Sequence, residues 1–304
     1  MLYFSMIYLY FYLILNLYIH SKLSIDMFLN FDYDKCTSCG LCRKACGSKL
    51  IEFDDENKPK QVYPIVCNDC GHCVSVCPVG AVENVRMDIN DFKDMVNPNI
   101  SYEDYVNLVR NRHSIRNFRK EPLKKEHINK LLHSVRYIPT GSNQQGLRYI
   151  FITDPEILDE IKKAMAKKFK LTSNLSNLFF VRPFVAKEER ASLKRQVDLW
   201  EEGFDIFLRN APCLLVIHTD YNYYGITAWD AAIATYNIDL AAQTLGIGTL
   251  MNGFHTTTCK IFKSVKKISK VPKKHKILAS MCLGYPDIEY KRTIYRNPLD
   301  SEII

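Results

Sequence analysis

Beyond residue 100 the apolar positions follow two periods in turn. Ile128, Leu131, Leu132 and Val135 recur at helical spacing and predict a helix over residues 124–136. Residues 148–153 alternate like a strand, and the helical period returns over 157–169 and 188–208. Residues 213–218 form a short unbroken apolar run, the pattern of a strand buried on both faces, and 279–283 predict another strand. Residues 228–245 are apolar nearly all round, which predicts a core helix, with Gly246 as its stop. Residues 171–185 fit neither period and read as a lid-like or dimer-contact region. Nearer the start, residues 27–31 predict a short strand. Helices and strands together predict an α+β chain, and 304 residues suggest about two domains.

Residues 1–21 contain no Asp, Glu, Lys or Arg and are rich in Leu, Ile, Tyr and Phe. That length could just span a bilayer. The alternative is upstream sequence ahead of a true start at Met27, favoured by tyrosines scattered along the stretch rather than gathered at its ends. A membrane partner is expected only if residues 1–26 are genuine. The net charge of +8 comes from the larger remainder, since residues 27–88 are near neutral. Eight lysines in residues 260–276, interleaved with Ile261, Phe262, Val265, Ile268 and Val271, read as the solvated face of an amphipathic helix. No nucleic-acid-binding module accompanies them, so no nucleic-acid partner is inferred.

The cysteines change the picture. Eight of eleven fall in two runs, Cys36-x-x-Cys39-x-x-Cys42-x-x-x-Cys46 and Cys67-x-x-Cys70-x-x-Cys73-x-x-x-Cys77-Pro78. This is the ligand spacing of a bacterial-type ferredoxin with two [4Fe-4S] clusters, in which the fourth cysteine of each run crosses to the other cluster. One cluster would use Cys36, Cys39, Cys42 and Cys77, the other Cys67, Cys70, Cys73 and Cys46. Zinc is usually held by ligand pairs across a longer spacer, and disulfides need an oxidising compartment. Gly47 stands where the second run has Pro78, a departure that removes no ligand. Cys213 and Cys282 fall in predicted strands and read as buried thiols.

Three polar stretches point to a second ligand. Arg112, Ser114 and Arg116 could offer two guanidinium forks and a hydroxyl to a phosphate. The turn-rich loop 139–146 carries Asn143 and Gln145, whose amides both donate and accept and suit the edge of a planar heterocycle. Residues 246–253 read as a glycine-rich connection able to bring backbone amides against a ring. No GxGxxG follows a strand, so a dinucleotide-binding Rossmann domain is not supported.

In this order, from about residue 105 to the C-terminus, the pieces resemble the FMN-dependent nitroreductase family. Arg112-His113-Ser114-Ile115-Arg116 is similar to the family's Arg-x-Ser-x-Arg segment, which implies contacts to the FMN phosphate and ribityl chain. Pro139, Thr140, Ser142, Asn143 and Gln145 resemble its Pro-Ser-x-x-Asn-x-Gln loop, which approaches the flavin, commonly from the partner subunit. Leu245-Gly246-Ile247-Gly248-Thr249 resembles its Leu-Gly-x-Gly-Thr element, and Asn252-Gly253 stands where a backbone amide commonly faces flavin N5. Arg296 resembles the arginine that closes on the phosphate. Gly146 replaces the family's usual proline, and Asn252 the glutamate of some members. With the cysteine runs, the chain from Met27 on resembles the ferredoxin-fused nitroreductases of anaerobic bacteria.

The resemblance implies a ferredoxin domain over residues 27–88, a linker over 89–104 and a nitroreductase-like domain over 105–304, with a mixed central sheet flanked by helices. It further implies a cytoplasmic homodimer that passes electrons through two [4Fe-4S] clusters to FMN and on to a small electron-poor acceptor: a nitro compound, quinone or activated alkene. The donor is either reduced ferredoxin or NAD(P)H. A different expectation is an electron-transfer module serving a protein partner. No residue is singled out as catalytic. His113 and His255 are the candidate proton donors.

Overall fold

The computed structural model describes residues 27–220 and 227–304, so the two readings of residues 1–26 lie outside it. Among the described residues no helix is long and apolar enough to cross a membrane. The chain divides into two compact units between Pro98 and Asn99.

The first unit builds the same small motif twice. Strand β1 (Leu29–Phe31), helix α1 (Leu41–Ala45) and strand β2 (Ile51–Phe53) are followed by β3 (Pro59–Gln61), α2 (His72–Ser75) and β4 (Val82–Asn84). β1 pairs antiparallel with β4, and β2 with β3. Each helix starts from a glycine in the left-handed region, Gly40 at φ 75° and Gly71 at φ 73°, which lets the chain curl back on itself between closely spaced cysteines. The core is slight: Phe28, Leu29, Cys42, Ile51, Val74 and Val82. Buried Gln61 fastens the unit's first strand, its Oε1 accepting from the amides of Phe28 and Leu29 at 2.9 Å each.

In the second unit, α3 (Tyr102–Arg110) opens with a capping box between Ser101 and Asp104. Then come α4 (Lys125–Val135), β5 (Arg148–Ile152), α5 (Pro155–Ser176), α6 (Lys187–Glu201), β6 (Cys213–Thr219) and α7 (Thr227–Thr244). β7 (Gly248–Met251), α8 (Gly253–Ile261), α9 (Lys263–Ile268) and β8 (Lys276–Gly284) complete it. The sheet order is β5-β6-β8-β7 with antiparallel pairs, and a parallel bridge from Ser114 to Thr249 adds the mixed character at the β7 edge. Every residue of β6 is buried. Its side chains alternate between two cores, as strand geometry requires. Leu214 and Val216 join Ile161, Met165 and Phe207, whereas Cys213, Leu215 and Ile217 join Leu131, Ala234 and Ile238.

Three predicted elements end elsewhere. α5 continues to Ser176, so residues 171–176 are helical, and the turn after it leaves Phe179, Phe180 and Phe184 exposed. α6 stops at Glu201 rather than 208. Gly203 takes a left-handed φ of 89°, and Asp205 ties down the next turn by accepting from the amides of Phe207, Leu208 and Asn210. The lysine-rich stretch forms α8 and α9 with a break at Phe262, not one helix.

β7 is a strand where a glycine-rich connection was expected. At Gly248 a Cβ would stand 2.6 Å from Ile115 Cγ1, so glycine is required for the segment before α4 to lie against the sheet. Replacing Gly248 by Ala should cost about 1–3 kcal/mol through overpacking; an unchanged denaturation midpoint would show that Ile115 can move aside.

Beneath β8 a polar network is sealed in the core. His255 is fully buried, with Nδ1 2.8 Å from Ser280 Oγ and Nε2 2.8 Å from Ser269 Oγ. Burial pulls its pKa down to about 4, and burial together with His275 pulls buried His218 down to about 4 as well. The unfolded chain takes up these protons near pH 6.5 while the folded chain refuses them, so it binds more protons in that window. Stability should therefore fall as pH drops from about 6.5 towards 4, read as a lower urea midpoint at pH 5 than at pH 7.5.

Candidate functional site

The first unit sorts its eight cysteines into two sets, and the sorting is crossed. Cys46, Cys67, Cys70 and Cys73 line one cavity of about 270 Å³, with Gly71 and Ile51 on its wall. Cys36, Cys39, Cys42 and Cys77 line a tighter space. All eight are free thiols. Among the described residues no three His, Cys, Asp or Glu side chains close on a single ion. Each set surrounds a space and offers the four sulfurs that a cubane takes. Backbone amides already point at three sulfurs: Leu50 N–H to Cys46 and Ala81 N–H to Cys77 at 3.2 Å, and Asp69 N–H to Cys67 at 3.4 Å. Burial pushes the Cys73 thiol up to about 11 and raises those of Cys42 and Cys67, so the protein alone favours protonated thiols there. Coordination to iron would reverse that.

The two sets are not equivalent. In the second run Asp69 pairs with Arg86, whose guanidinium stacks over the Phe28 ring at 3.4 Å. The matching position in the first run is Ser38, which donates to the Asn57 carbonyl at 2.6 Å.

The second unit assembles its site on β7. Ile115 N–H donates to Thr249 O at 2.8 Å, and Ser114 bridges Thr249. This docking sends Arg112 towards α7, where its Nη1 lies 3.4 Å from Oδ2 of buried Asp239. Thr249 Oγ1 donates to the other Asp239 oxygen. Burial raises the Asp239 pKa, opposed by the Thr249 hydroxyl and the Arg112 charge. Arg112 is thereby oriented with most of its five donors uncommitted. Arg116 is exposed and donates only back to Ser114 O at 3.2 Å.

His113 points towards the C-terminal stretch, across a pocket that it shares with Asp239, Gly248 and Thr249. It stacks on Tyr290 with centroids 4.2 Å apart, and its ring nitrogens face the carbonyls of Asn111 and Arg292. His255, sealed between two serines, is structural and has no route to a substrate.

Gly248 and Thr249 lie on β7, Thr249 bridged to Ser114 and Gly248 against Ile115. Asn252 does not offer its own donors. Its N–H goes to Ser280 O at 2.7 Å, its Nδ2 to Phe207 O at 2.8 Å, and its Oδ1 caps α8 by accepting from His255 N–H. Gly253, the first residue of α8, carries a backbone N–H for which helix geometry supplies no intrahelical acceptor.

Loop 139–145 lies at the other end of α7. Gly141 N–H donates to Asp230 Oδ1 at 3.0 Å, and Ser142, Asn143 and Gln145 all adopt positive φ near 50°. Gln145 is tied to the same loop, its amide to Thr140 Oγ1 and its Nε2 to Asn143 Oδ1. Asp230 and Asp239 are nine residues apart, about 13 Å along the helix axis. Within one chain, then, the Arg112 group and the Pro139–Gln145 group occupy opposite ends of α7. Arg296 lies in the exposed C-terminal stretch and donates to its neighbour Tyr295 O. Sequence reasoning missed Asp230, Asp239 and Arg209, the last a half-buried cation that shares a chamber with Arg116 and Gly253.

Comparison with known proteins places both units. The Nitroreductase family matches residues 109–285, and the 4Fe-4S dicluster domain matches residues 28–78. An NADPH-dependent oxidoreductase of Staphylococcus saprophyticus is 26% identical over 210 residues, covering 66% of this chain and 76% of its own. The indolepyruvate oxidoreductase subunit IorA of Pyrococcus horikoshii is 47% identical over 53 residues, 17% of this chain but only 8% of that protein. The crystal structure of a Bacteroides fragilis nitroreductase with bound FMN superposes with a TM-score of 0.52 at 19% identity, covering 65% of this chain and 97% of that one; it attests the fold. The chain belongs to the nitroreductase family of oxidoreductases and carries a 4Fe-4S dicluster ferredoxin domain ahead of the matched region.

Proposed function

We propose that this chain is an iron–sulfur flavoprotein that draws single electrons through two [4Fe-4S] clusters to FMN and reduces a small electron-poor acceptor. The observation that carries it is the crossed pair of four-thiol sets in a chain whose second unit has the nitroreductase fold. When bound, the clusters pass one electron at a time, whereas the flavin collects two and delivers them together. Cys36, Cys39, Cys42 and Cys77 hold one cluster, and Cys46, Cys67, Cys70 and Cys73 the other.

Arg112, held by Asp239, and Arg116 supply charge-assisted bonds to the FMN phosphate and ribityl region, with Ser114 and Thr249 beside them. Gly253 offers its amide to the ring. Pro139, Thr140, Ser142, Asn143 and Gln145 serve the flavin of a second copy, which the distance along α7 supports. So does the outer face of α7, where Trp229, Ile233 and Tyr236 are exposed on a helix that is apolar all round. The working form is a homodimer, and Arg296 reaches a phosphate only through movement of the C-terminal stretch. The acceptor is a small molecule rather than a protein alone, because a chamber of about 880 Å³ opens beside Arg116 and Gly253. The electron donor is reduced ferredoxin or NAD(P)H, and eleven free cysteines fit a cytoplasmic setting.

Anaerobic reconstitution tests the crossed ligation. Replacing Cys46 and Cys67 together should leave about half the iron and sulfide, whereas replacing Cys36 and Cys46 together should abolish both clusters; the reverse order of losses would refute the crossing. At the second site, Arg116→Ala removes charge-assisted bonds of about 1.5–3 kcal/mol. FMN should bind roughly ten- to a hundredfold more weakly in fluorescence titration. An unchanged Kd takes Arg116 out of the flavin site.

A further inference from the structure

The chamber beside Arg116 has a composition that flavin binding alone leaves unexplained. It is an open cleft bordered by α5, α6 and α8, and Phe169, Phe207, Phe254 and Phe262 lie in its wall. Phe169 stands 4.9 Å from Phe207 and 5.5 Å from Phe254 between centroids, the latter edge-to-face, and Phe262 adds a fourth ring. These rings pack against one another, and the partly exposed Phe169, Phe254 and Phe262 turn a continuous aromatic surface towards the chamber, on which a flat ring can lie.

Two cations enter this apolar space. Arg116 comes from the segment docked on β7, and Arg209 from the turn before β6. Arg209 is half-buried with a left-handed backbone, φ 58°, and its guanidinium lies 5.0 Å from the Phe204 ring. Burial and the neighbouring Arg116 charge both lower its pKa, with Asp205 acting the other way. Asp205 is the nearest acid, but its two oxygens are committed to the amides of Phe207, Leu208 and Asn210. Glu189 sits on the exposed rim, in the first turn of α6. Two guanidiniums face one chamber whose only acidic lining residue is the exposed Glu189, and a bound anion would offset both their mutual repulsion and the desolvation of Arg209. The wall also carries Gln196, whose Oε1 is buried without a partner and would be satisfied by a ligand N–H or O–H.

We propose that this chamber takes a planar aromatic acceptor carrying a carboxylate, which Arg209 anchors while the aromatic walls hold the ring. The proposal rests on the flavoprotein reading above, in which Arg116 serves FMN and Arg209 has no other task. The other source of an anion here is FMN itself, and the test separates the two.

The oxidised, FMN-loaded full-length protein is titrated anaerobically with 4-nitrobenzoate and with its neutral isostere 4-nitrobenzamide, following the flavin absorbance. The carboxylate should bind at least tenfold more tightly than the amide. Arg209→Gln should erase that difference, leaving the amide affinity and the FMN stoichiometry as in the parent protein. Arg209→Lys should restore part of the preference, because it keeps the charge but loses the fork. Equal binding of the two compounds by the parent protein overturns the proposal, as does an Arg209→Gln protein that loses its FMN, which would make Arg209 a cofactor residue. A parent protein that takes up no FMN fails the underlying reading instead. The preference for the carboxylate is then measured directly by equilibrium dialysis of the same two compounds.

Discussion

The second site depends on one contact, the seating of Ile115 over Gly248. The isoleucine side chain fills the space that a Cβ at 248 would need. That approach lets Ile115 N–H reach Thr249 O and brings Ser114 alongside the strand. Once the segment is seated, residues two apart share a direction. Arg112 meets a buried carboxylate on α7 and Arg116 opens onto the chamber, while His113 faces the C-terminal stretch. A cationic strip is thus positioned by an apolar contact at its centre, and Asp239 offsets the cost of holding one of its guanidiniums partly buried.

The first unit is organised by a different constraint. Its two halves repeat spacing, helix and left-handed glycine, yet their surroundings diverge where charge is concerned. Asp69 and Arg86 stand beside one thiol set, whereas the equivalent serine of the other half is spent on a backbone carbonyl. Repetition sets the geometry of the thiols, and the residues between them make the two sets electrostatically distinct. In iron–sulfur proteins such surroundings, with the N–H···S bonds, tune reduction potential.

Much of this was legible in the sequence. The cysteine sets were, because their spacing is itself the geometry of the site. Core strands and α7 were, because burial on both faces leaves unbroken apolar runs. β7 was hidden because its glycine signals close approach as well as a turn, and only Ile115 distinguishes the two. Asp230 and Asp239 are the two acids of a helix that otherwise reads as apolar core, which marks them as buried, but nothing local names a distant loop and arginine as their partners. Asn252 lined up with a family position, but the cap, the sheet and Phe207 had already claimed its hydrogen-bonding groups. Arg209 matched no motif; a left-handed turn in front of β6 brings it to the chamber.

The meagre interior of the first unit has a biological corollary. A hydrophobic cluster of six buried residues and strands of three residues cannot offset the chain entropy of a domain this size by themselves. Inorganic cores would act there as the missing hydrophobic mass, crosslinking both halves through the exchanged cysteines. Oxidative loss of metal from such a module is then simultaneously loss of its shape. Damage to the redox apparatus would present itself to cellular proteases as an unfolded terminus, so that inactivated copies are removed rather than retained.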